Sequence, residues 1–573
     1  MKNQLIADIF REIAQILEIK GENHFRIRAY ERAAQNIESL AEDIEGISKE
    51  DKLEEISGIG KDLAEKIKEI ISTDNLQYLE DLKKNMPQGL LDMLKVPGIG
   101  PKTAKLLYEE LGILDIVMLE RMAHAGKIRL LPGMKKKTEE NILRGIELLK
   151  RGRDRMDLKT AKDVCGPFIE ELKKLKDVKR IDPSGSLRRM KDTIRDIDIL
   201  VASKKPKKIM DAFTTLESVG SVLAKGDTKS SIITKDGIQV DLRVVEEKSY
   251  GASLMYFTGS KEHNIRLRQL AIKNSLKLSE YGLFKNDKVV AREKEIDVYK
   301  ALGLGYIPPE LREDRGEIEA SLKGTLPELV TLDDIKGDLH MHSVWSDGGS
   351  STEENVLKAL DLGYEYIAIT DHSEGLKIAG GLTREELKAK KKELDKLNKK
   401  YKKIKILFGA EVDIDSEGAL DYPDPILKEM DIVIAAIHTG FKQSKEKITK
   451  RILKVCQNKH VNMIAHPTGR LWGAREAYEF DLKEVFKACR DYNVALEVNS
   501  FPQRMDLNDI NCQMAKENGV KIAINTDAHI SSQLDMMYLG VAVARRGWLT
   551  KKDVLNTLSF KNLQQQLGKT SIT

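Results

Sequence analysis

YIAITDHS, residues 366–373, sets the pattern that decides the fold of the carboxy-terminal part of the chain: an apolar run ends in Thr370, Asp371 and His372. The same pattern recurs in GDLHMHS (337–343), ILFGAEVDI (406–414), DIVIAAIHTG (431–440), VNMIAHPTG (461–469), VALEVNS (494–500) and KIAINTDAH (521–529). Helical segments such as EENVLKALDLG and LKEVFKACRDY lie between several of these runs. Seven strand, loop, helix repeats predict a parallel barrel or open sheet, whose reactive groups collect at the carboxyl ends of the strands.

Six of the ten histidines sit at those ends: His340, His342, His372, His438, His466 and His529. Asp347, Asp371, Glu411 and Asp527 accompany them. Taken singly, a buried histidine more often satisfies a local hydrogen bond than binds a metal. Six that each end an apolar run are better read as ligands, because imidazole and carboxylate suit borderline divalent ions. The set exceeds what one ion needs, so a cluster of two or three metals is expected, and such a cluster suits phosphoester hydrolysis.

Upstream, residues 321–335 predict a linker containing Gly324 and Pro327. From 156 to 245, β-rich runs (DIDILVA, SSIIT, IQVDLRVV) mixed with helices predict an α+β domain. Asp196 and Asp198 fall on one face of a strand because side chains alternate, and Asp241 ends a later strand that could lie alongside. Three converging carboxylates would hold the two Mg²⁺ ions of in-line nucleotidyl transfer. Gly185 and Ser186 precede them, with Arg188 and Arg189 between, a turn, a hydroxyl and guanidinium groups suited to phosphate.

Residues 1 to about 150 read as short helices punctuated by glycine turns at SGIGK (57–61), PGIGPK (97–102) and, more weakly, PGMKKK (132–137). Each turn is followed by a helix-like run, a repeat whose exposed N–H groups suit phosphate binding without reading sequence.

Length and composition agree with several domains: 573 residues, 41% hydrophobic and 33% charged, describe a globular multidomain chain. No stretch approaches 18 apolar residues and the amino terminus lacks the core of a signal peptide, so a soluble cytoplasmic protein without a membrane association is expected. The four cysteines form no CxxC pair, which fits a reducing compartment. Net charge is only +5, yet residues 121–195 hold 22 Lys or Arg against 11 Asp or Glu, so a basic segment stands inside a balanced whole.

Two resemblances sharpen these readings. HMHSVWSDG, ITDHS, GAEVDI, AAIHTG, AHPTGR and NTDAH resemble the ordered motifs of the PHP (polymerase and histidinol phosphatase) domain over 336–573. That implies a distorted (β/α)7 barrel in which His340, His342, Asp347, His372, Glu411, His438, His466, Asp527 and His529 hold Mn²⁺ or Zn²⁺, Glu411 bridging and Asp371 orienting His372 or a water. GSLRRMKDTIRDIDILV with VDLRVV, and then YFTGS, resemble the nucleotidyltransferase palm and nucleotide pocket of DNA polymerase family X over about 1–320.

The second resemblance implies metal ligation by Asp196, Asp198 and Asp241, with Mg²⁺ or Mn²⁺. Gly185, Ser186 and Arg189 would hold the triphosphate. Tyr256, Phe257 and Gly259 would wall the sugar, and Asn264 and Arg268 would address the base and the template minor groove. Arg195 replaces a phosphate-contacting glycine of the family.

In the amino-terminal third the turns resemble helix-hairpin-helix modules, which implies DNA contacts at Gly58, Gly60, Gly98, Gly100, Lys102 and Gly133. It also implies a Na⁺ or K⁺ site at carbonyls that include Leu94, Val96 and Ile99. Lys66 falls at the position of a Schiff-base lysine of deoxyribose-phosphate lyases and Tyr30 at that of an assisting, DNA-facing tyrosine, while Asp62 replaces a family lysine and favours charged Lys66.

The implied domains are an 8-kDa-like helical domain (1–86), a helix-hairpin-helix subdomain (87–155), the palm (156–245), a nucleotide-selecting thumb (246–320), the linker and the PHP barrel (336–573). The implied function is a monomeric DNA polymerase that uses deoxynucleoside triphosphates to fill gapped or nicked double-stranded DNA in base excision repair. A 3′ to 5′ exonuclease, with cleavage at abasic sites as a further activity, would occupy the PHP domain. Its rivals are a small-molecule phosphatase in the PHP domain and a non-catalytic DNA-end scaffold.

Overall fold

The computed structural model describes residues 2–568 apart from 39, 41, 42, 57, 85, 95, 97, 98 and 151–154. It divides into two compact units: Met1–Arg155 with Phe168–Gly185 and Arg195–Tyr306, and Met156–Pro167 with Ser186–Ile194 and Ile307–Thr573.

The first unit opens with helices around two apolar cores. One gathers Ile6, Phe10, Ile13, Tyr30, Ile67 and Ile70; the other gathers Val96, Ile99, Leu107, Ile128 and Ile146. Helix α1 (Lys61–Thr73) buries Leu63, Ala64, Ile67 and Ile70, a spacing of one helical face. It starts from Gly60, and α2 (Pro101–Leu111) starts from Gly100; neither start carries a side-chain cap. The first N–H groups of both helices therefore stay open to other acceptors. Helix α3 (Lys136–Lys150) follows the Gly133 turn, where φ of 77° suits glycine.

The palm is a five-stranded sheet of β1 (Arg180–Pro183), β2 (Ile197–Ala202), β3 (Val219–Lys225), β4 (Lys229–Thr234) and β5 (Gln239–Val245), in the order β1-β2-β5-β4-β3. β2 and β5 run parallel, so their pairing needs a crossover, and the antiparallel β3 and β4 occupy the edge. Helices α4 (Tyr250–Thr258) and α5 (Lys261–Lys273) and a three-stranded antiparallel sheet (277–291) complete this part of the chain.

The second unit is built on β6 (Gly337–Asp338), β7 (Tyr366–Ile369), β8 (Lys405–Asp413), β9 (Ile432–Ala436), β10 (Met463–Ile464), β11 (Ala495–Asn499) and β12 (Ile522–Asn525). These seven strands, all among the described residues, pair in parallel in chain order, and they coincide with the seven runs read from the sequence. Beyond β6 and β12, Asp527 donates its N–H to the His340 carbonyl at 3.0 Å and His342 donates to the Ala528 carbonyl at 2.8 Å, which brings the sheet close to a closed barrel. Tyr366, Ala368, Leu407, Ile434, Ala436, Met463, Ala495 and Ala523 form a core with Leu555 and Leu563, leaving the other end of the strands for polar groups.

The division between units falls after Tyr306, upstream of the linker read at 321–335. Arg315 explains the shift: it donates to Asp509 at 2.9 Å and to the Arg546 carbonyl at 3.2 Å, so the segment ahead of the linker already packs with the barrel. The barrel unit also takes in Met156–Asp157 and Thr193–Ile194, which pair antiparallel. All four cysteines are free and buried. Among the described residues, no helix is long and apolar enough to cross a membrane.

Candidate active sites

At the carboxyl end of the barrel, each strand delivers a ligand-bearing loop or its own last side chains. The nine residues read as metal ligands come together there. Three groups have donor atoms all within 4.8 Å of one another: His342, Asp347, His372 and His529; His340, His342 and Asp527; His372, Glu411 and His438. Glu411 is central, 2.9 Å from His372 Nδ1, 2.9 Å from His466 Nε2, 3.4 Å from His438 Nε2 and 3.5 Å from His340 Nε2. His342 lies between two groups, with Nε2 3.1 Å from Asp527 Oδ1 and Nδ1 3.8 Å from Asp347 Oδ1.

The donor set fits divalent ions. Buried His342 Nδ1, His372 Nδ1 and His466 Nδ1 have no hydrogen-bond partner among the described residues, although His372 Nδ1 approaches Glu411 closely. Two atoms that close without hydrogen-bond geometry suit a shared cation better than each other. Burial opposes charge on His372, yet Glu411 and Asp347 raise its pKa to about 10; burial likewise opposes charge on His438, and Glu411 with Asp413 raises it to about 9. Burial and the neighbouring His372 push His342 down to about 4. Against the cost of burial, His438, His340 and His372 hold the Glu411 carboxyl well below its ordinary range. The carboxylates thus draw positive charge into a buried site, and divalent ions would supply it while displacing protons from the imidazoles.

The supporting residues are harder to read from sequence. Glu497, fully buried, is 2.8 Å from His340 Nδ1, accepts from the His466 N–H at 2.7 Å, and is held by Asn499 and Asn525. Asp413 is 2.5 Å from His438 Nδ1. These contacts fix ring orientation and leave the other nitrogen of each ring facing Glu411, where a metal would be held. The available signal is an acid inside an apolar run, in ALEVN and in GAEVD.

Of the two partners expected for Asp371, His372 is not hydrogen-bonded to it among the described residues. Asp371 pairs with buried Lys390 at 2.8 Å and accepts from Ser343 N at 2.7 Å and from Ser346 Oγ at 2.9 Å, while His372 turns to Glu411. Neighbouring residues of extended chain point to opposite sides, which separates the two.

In the palm, parallel register sets Asp198 opposite Asp241. Burial, then the charges of Asp196 and Asp241, raises Asp198 to about 7. Lys229 Nζ is 3.2 Å from Asp241 Oδ2 and Gln239 Nε2 donates to Asp241 Oδ1 at 2.9 Å, so the carboxylate is already oriented. Gly185, with φ of 60°, lies so close that a Cβ there would stand 2.3 Å from Asp198 Oδ2. The acidic set fits a divalent ion by its charge and by the pressure on Asp198 to lose charge.

Tyr256 and Phe257 meet edge to face at 5.3 Å between centroids, and the Arg243 guanidinium lies 4.5 Å from the Phe257 ring centre. Gly259, with φ of 68° and ψ of −151°, occupies backbone space essentially closed to other residues. Asn264 Nδ2 donates to the Tyr256 carbonyl at 2.7 Å, tying the two segments together. Arg268 Nε is buried without a hydrogen-bond partner among the described residues. Ser186 and Arg189 belong to the barrel unit, where Arg189 Nε donates to Glu313 at 3.0 Å.

In the helical region, a Cβ at Gly60, Gly100 or Gly133 would meet nothing within 4 Å, and Lys102 is exposed. Gly58 takes φ of 83°; Gly98 lies outside the described residues. Lys66 pairs with Asp62, and its ammonium stands 5.4 Å from the Tyr78 ring centre. Tyr30, expected to face DNA, is instead 2% exposed, packed edge-on against Phe10 and stacked on Tyr78. The helix turns its apolar face inward there, and burial raises the phenol's pKa.

A helix-hairpin-helix region, a polymerase-type carboxylate palm and a PHP barrel with its ligand cluster define a family X polymerase joined to a PHP domain. Family models match at each part: helix-hairpin-helix domain over residues 1–76, SAM-like helix-hairpin-helix tandem over 90–147, DNA polymerase beta thumb over 253–313 and PHP domain over 338–501. The chain belongs to the family of the DNA polymerase/3'-5' exonuclease PolX of Bacillus subtilis (strain 168), with 40% identity over 568 residues, 98% of this chain and 99% of that protein. The barrel part is also similar to shorter proteins: a probable phosphatase of Thermoanaerobacter sp. (strain X514) is 35% identical over 38% of this chain and 89% of its own length, and one of Proteus mirabilis (strain HI4320) is 30% identical over 41% and 96%.

Proposed function

We propose that this chain is a DNA-directed DNA polymerase that fills short gaps during repair and trims 3′ ends with a 3′ to 5′ exonuclease in its PHP domain. The observation that carries the polymerase reading is the parallel register that sets Asp198 beside Asp241, with Asp196 just ahead of the strand and its charge acting on Asp198. Divalent ions, Mg²⁺ or Mn²⁺ on these aspartates and two or three Mn²⁺ or Zn²⁺ ions on the barrel cluster, would supply the positive charge that acidifies the attacking hydroxyl or water and shields the phosphate.

The chain's own residues do the rest. Ser186 and Arg189 hold the triphosphate, Gly185 brings backbone close to Asp198, and Tyr256, Phe257 and Gly259 shape the sugar site. Asn264 and Arg268 address the base and the minor groove. Glu497 and Asp413 hold the rings of His340 and His438 in one orientation, which fixes the donor atoms before substrate arrives. Gly58, Gly60, Gly98, Gly100, Lys102 and Gly133 grip DNA phosphates without reading sequence, with Na⁺ or K⁺ at the Leu94, Val96 and Ile99 turn. Lys66 anchors a 5′-phosphate; its pairing with Asp62 favours the ammonium over the neutral amine that lyase chemistry needs.

The functional division runs 1–86, 87–155, 156–245, 246–320 and 336–573, in a monomer acting in the cytoplasm. A second reading, a small-molecule phosphatase in the barrel, is favoured by the names of the shorter relatives. End-labelled gapped DNA with Mn²⁺ separates the possibilities. Asp198→Ala should lose nucleotide incorporation and keep 3′ trimming, and His342→Ala should do the reverse. Loss of both activities in either variant would overturn the two-site reading. Efficient turnover of free sugar phosphates with no DNA trimming would favour the phosphatase.

A further inference from the structure

Helix α6 (Arg384–Lys400) buries Leu387, Lys390, Leu394 and Leu397, the three-and-four spacing of one apolar seam with a lysine inside it. Lys388 and Lys392 beside it are exposed, whereas Lys390 is fully buried. Its Nζ donates to the Ile369 carbonyl at 3.0 Å, at the end of β7, and to the Gly409 carbonyl of β8 at 3.1 Å, and it pairs with Asp371 Oδ2 at 2.8 Å. Three acceptors thus meet the three protons of the ammonium. Replacing a buried ion pair by apolar side chains often leaves a fold no less stable, so a lysine in this seam calls for a reason beyond stability.

Asp371 carries the contact onward to the turn 343–347. Its Oδ1 accepts from the Ser343 N–H at 2.7 Å and from Ser346 Oγ at 2.9 Å. Further along α6, Glu393 Oε2 accepts from Trp345 Nε1 at 2.7 Å. One helix therefore grips the turn at Ser343 and Ser346 through Asp371, and at Trp345 directly.

Asp347 ends that turn. Its side chain is 34% exposed, against 1% for Glu411 on β8. Its Oδ2 stands 3.5 Å from His372 Nε2 and 3.5 Å from His529 Nε2. A carboxylate on a turn has more conformations to lose on binding an ion than one fixed in a sheet, so whatever holds the turn sets part of the affinity.

We propose that α6, which bears none of the nine ligand residues, is the positioning element for Asp347: Lys390 through Asp371, and Glu393 through Trp345, hold the turn in the shape that presents Asp347 to an ion shared with His342, His372 and His529. This inference rests on the reading of the cluster as a metal centre. It makes one ion of the cluster depend on a helix that supplies no ligand, while ions held at Glu411 and Asp527 do not.

The test uses the full-length protein, freed of metal by chelation and titrated with Mn²⁺ by calorimetry. Bound ions are counted by electron paramagnetic resonance, and melting of the metal-free protein is recorded on the same preparations. Trp345→Phe keeps an aromatic ring but lacks the indole donor; it should weaken one Mn²⁺ equilibrium by about tenfold or more and leave the others within about twofold. Lys390→Met should weaken the same equilibrium. Excess Mn²⁺ should bring 3′ trimming in both variants back to the wild-type rate, and metal-free Trp345→Phe should melt with the wild type. In an Asp347→Ala background Trp345→Phe should change Mn²⁺ binding no further, because both substitutions act through the same carboxylate. A merely structural role would weaken every equilibrium alike and persist undiminished in Asp347→Ala, and either result overturns the inference. If Lys390→Met does not fold, Trp345→Phe, which leaves the buried pair intact, carries the test by itself.

The wild type and Asp347→Ala are the controls for the underlying reading. A wild type that binds no Mn²⁺ would refute the metal centre, and the inference with it. Mn²⁺ binding that Asp347→Ala weakens and Trp345→Phe leaves unchanged would keep the metal centre and overturn the inference alone.

Discussion

Gly185 shows how a single missing methyl can matter. A Cβ there would stand 2.3 Å from Asp198 Oδ2, in a backbone conformation, φ of 60°, that side chains rarely take. Gly185→Ala should therefore displace the carboxylate and lower incorporation by about 100-fold or more, with trimming unchanged, measured as kcat on gapped DNA; incorporation at the wild-type rate would contradict the placement. Asp506 gives a pH signature of its own. Burial raises its pKa to about 6, against an unfolded value near 3.8, and its Oδ1 has no hydrogen-bond partner among the described residues. Because the folded value is the higher one, the stability this carboxyl contributes is complete below about pH 4 and lost as pH rises through about 6. Asp506→Asn, which can keep the acceptor for the Thr468 N–H, should gain up to about 3 kcal/mol over the wild type between pH 4 and 7 in denaturant unfolding. A difference that does not vary with pH would remove this explanation. The histidine ligands are legible in the sequence because each ends an apolar run. Glu497 and Lys390 are not, because they sit inside a strand and a helix, where only the fold shows which buried group they face.

On the proposed reading, the hairpin elements would hold DNA through backbone and nearby lysines rather than through specific side chains. Gly60 and Gly100 leave the first N–H groups of α1 and α2 without a side-chain cap, and Lys102, Lys135 and Lys136 are exposed beside the second and third turns. Replacing these three lysines by Gln should weaken gap binding similarly for all sequences. It should also reduce the slope of log K against log salt by about 0.9 for each phosphate that the lysines no longer neutralise. An unchanged slope would place the DNA elsewhere. The element patterns themselves are readable: β7 and β9 are unbroken apolar runs, as strands buried on both faces must be. The edge strand β3, with several exposed positions, carries no such signal.

Across the whole molecule, the two units have separate cores and separate charged sites. The barrel concentrates Glu411, Asp527, Asp347 and six histidines in one place, so cations bound there would stabilise the folded barrel by mass action. Chelation should lower the melting temperature of a transition that His342→Ala also shifts, and Mn²⁺ should restore it in the wild type. Calorimetry that shows no chelator effect would argue against resident ions. The small net charge of +5 conceals this arrangement, since the carboxylates of the metal sites offset the basic stretch at 121–195.

What the sequence determined by itself is the set of elements and the chemistry they carry. Periodicity follows from burial and is local, and His, Asp and Glu at the ends of apolar runs announce ligands wherever the strands run parallel. Only the tertiary structure decided which residues share a charge. Asp371 went to Lys390 rather than His372, Tyr30 went to the core, and Arg546 came to Glu313 and the Arg189 carbonyl across more than 230 residues of chain. Such pairings depend on where distant segments pack in a low-dielectric interior, and no local pattern encodes that.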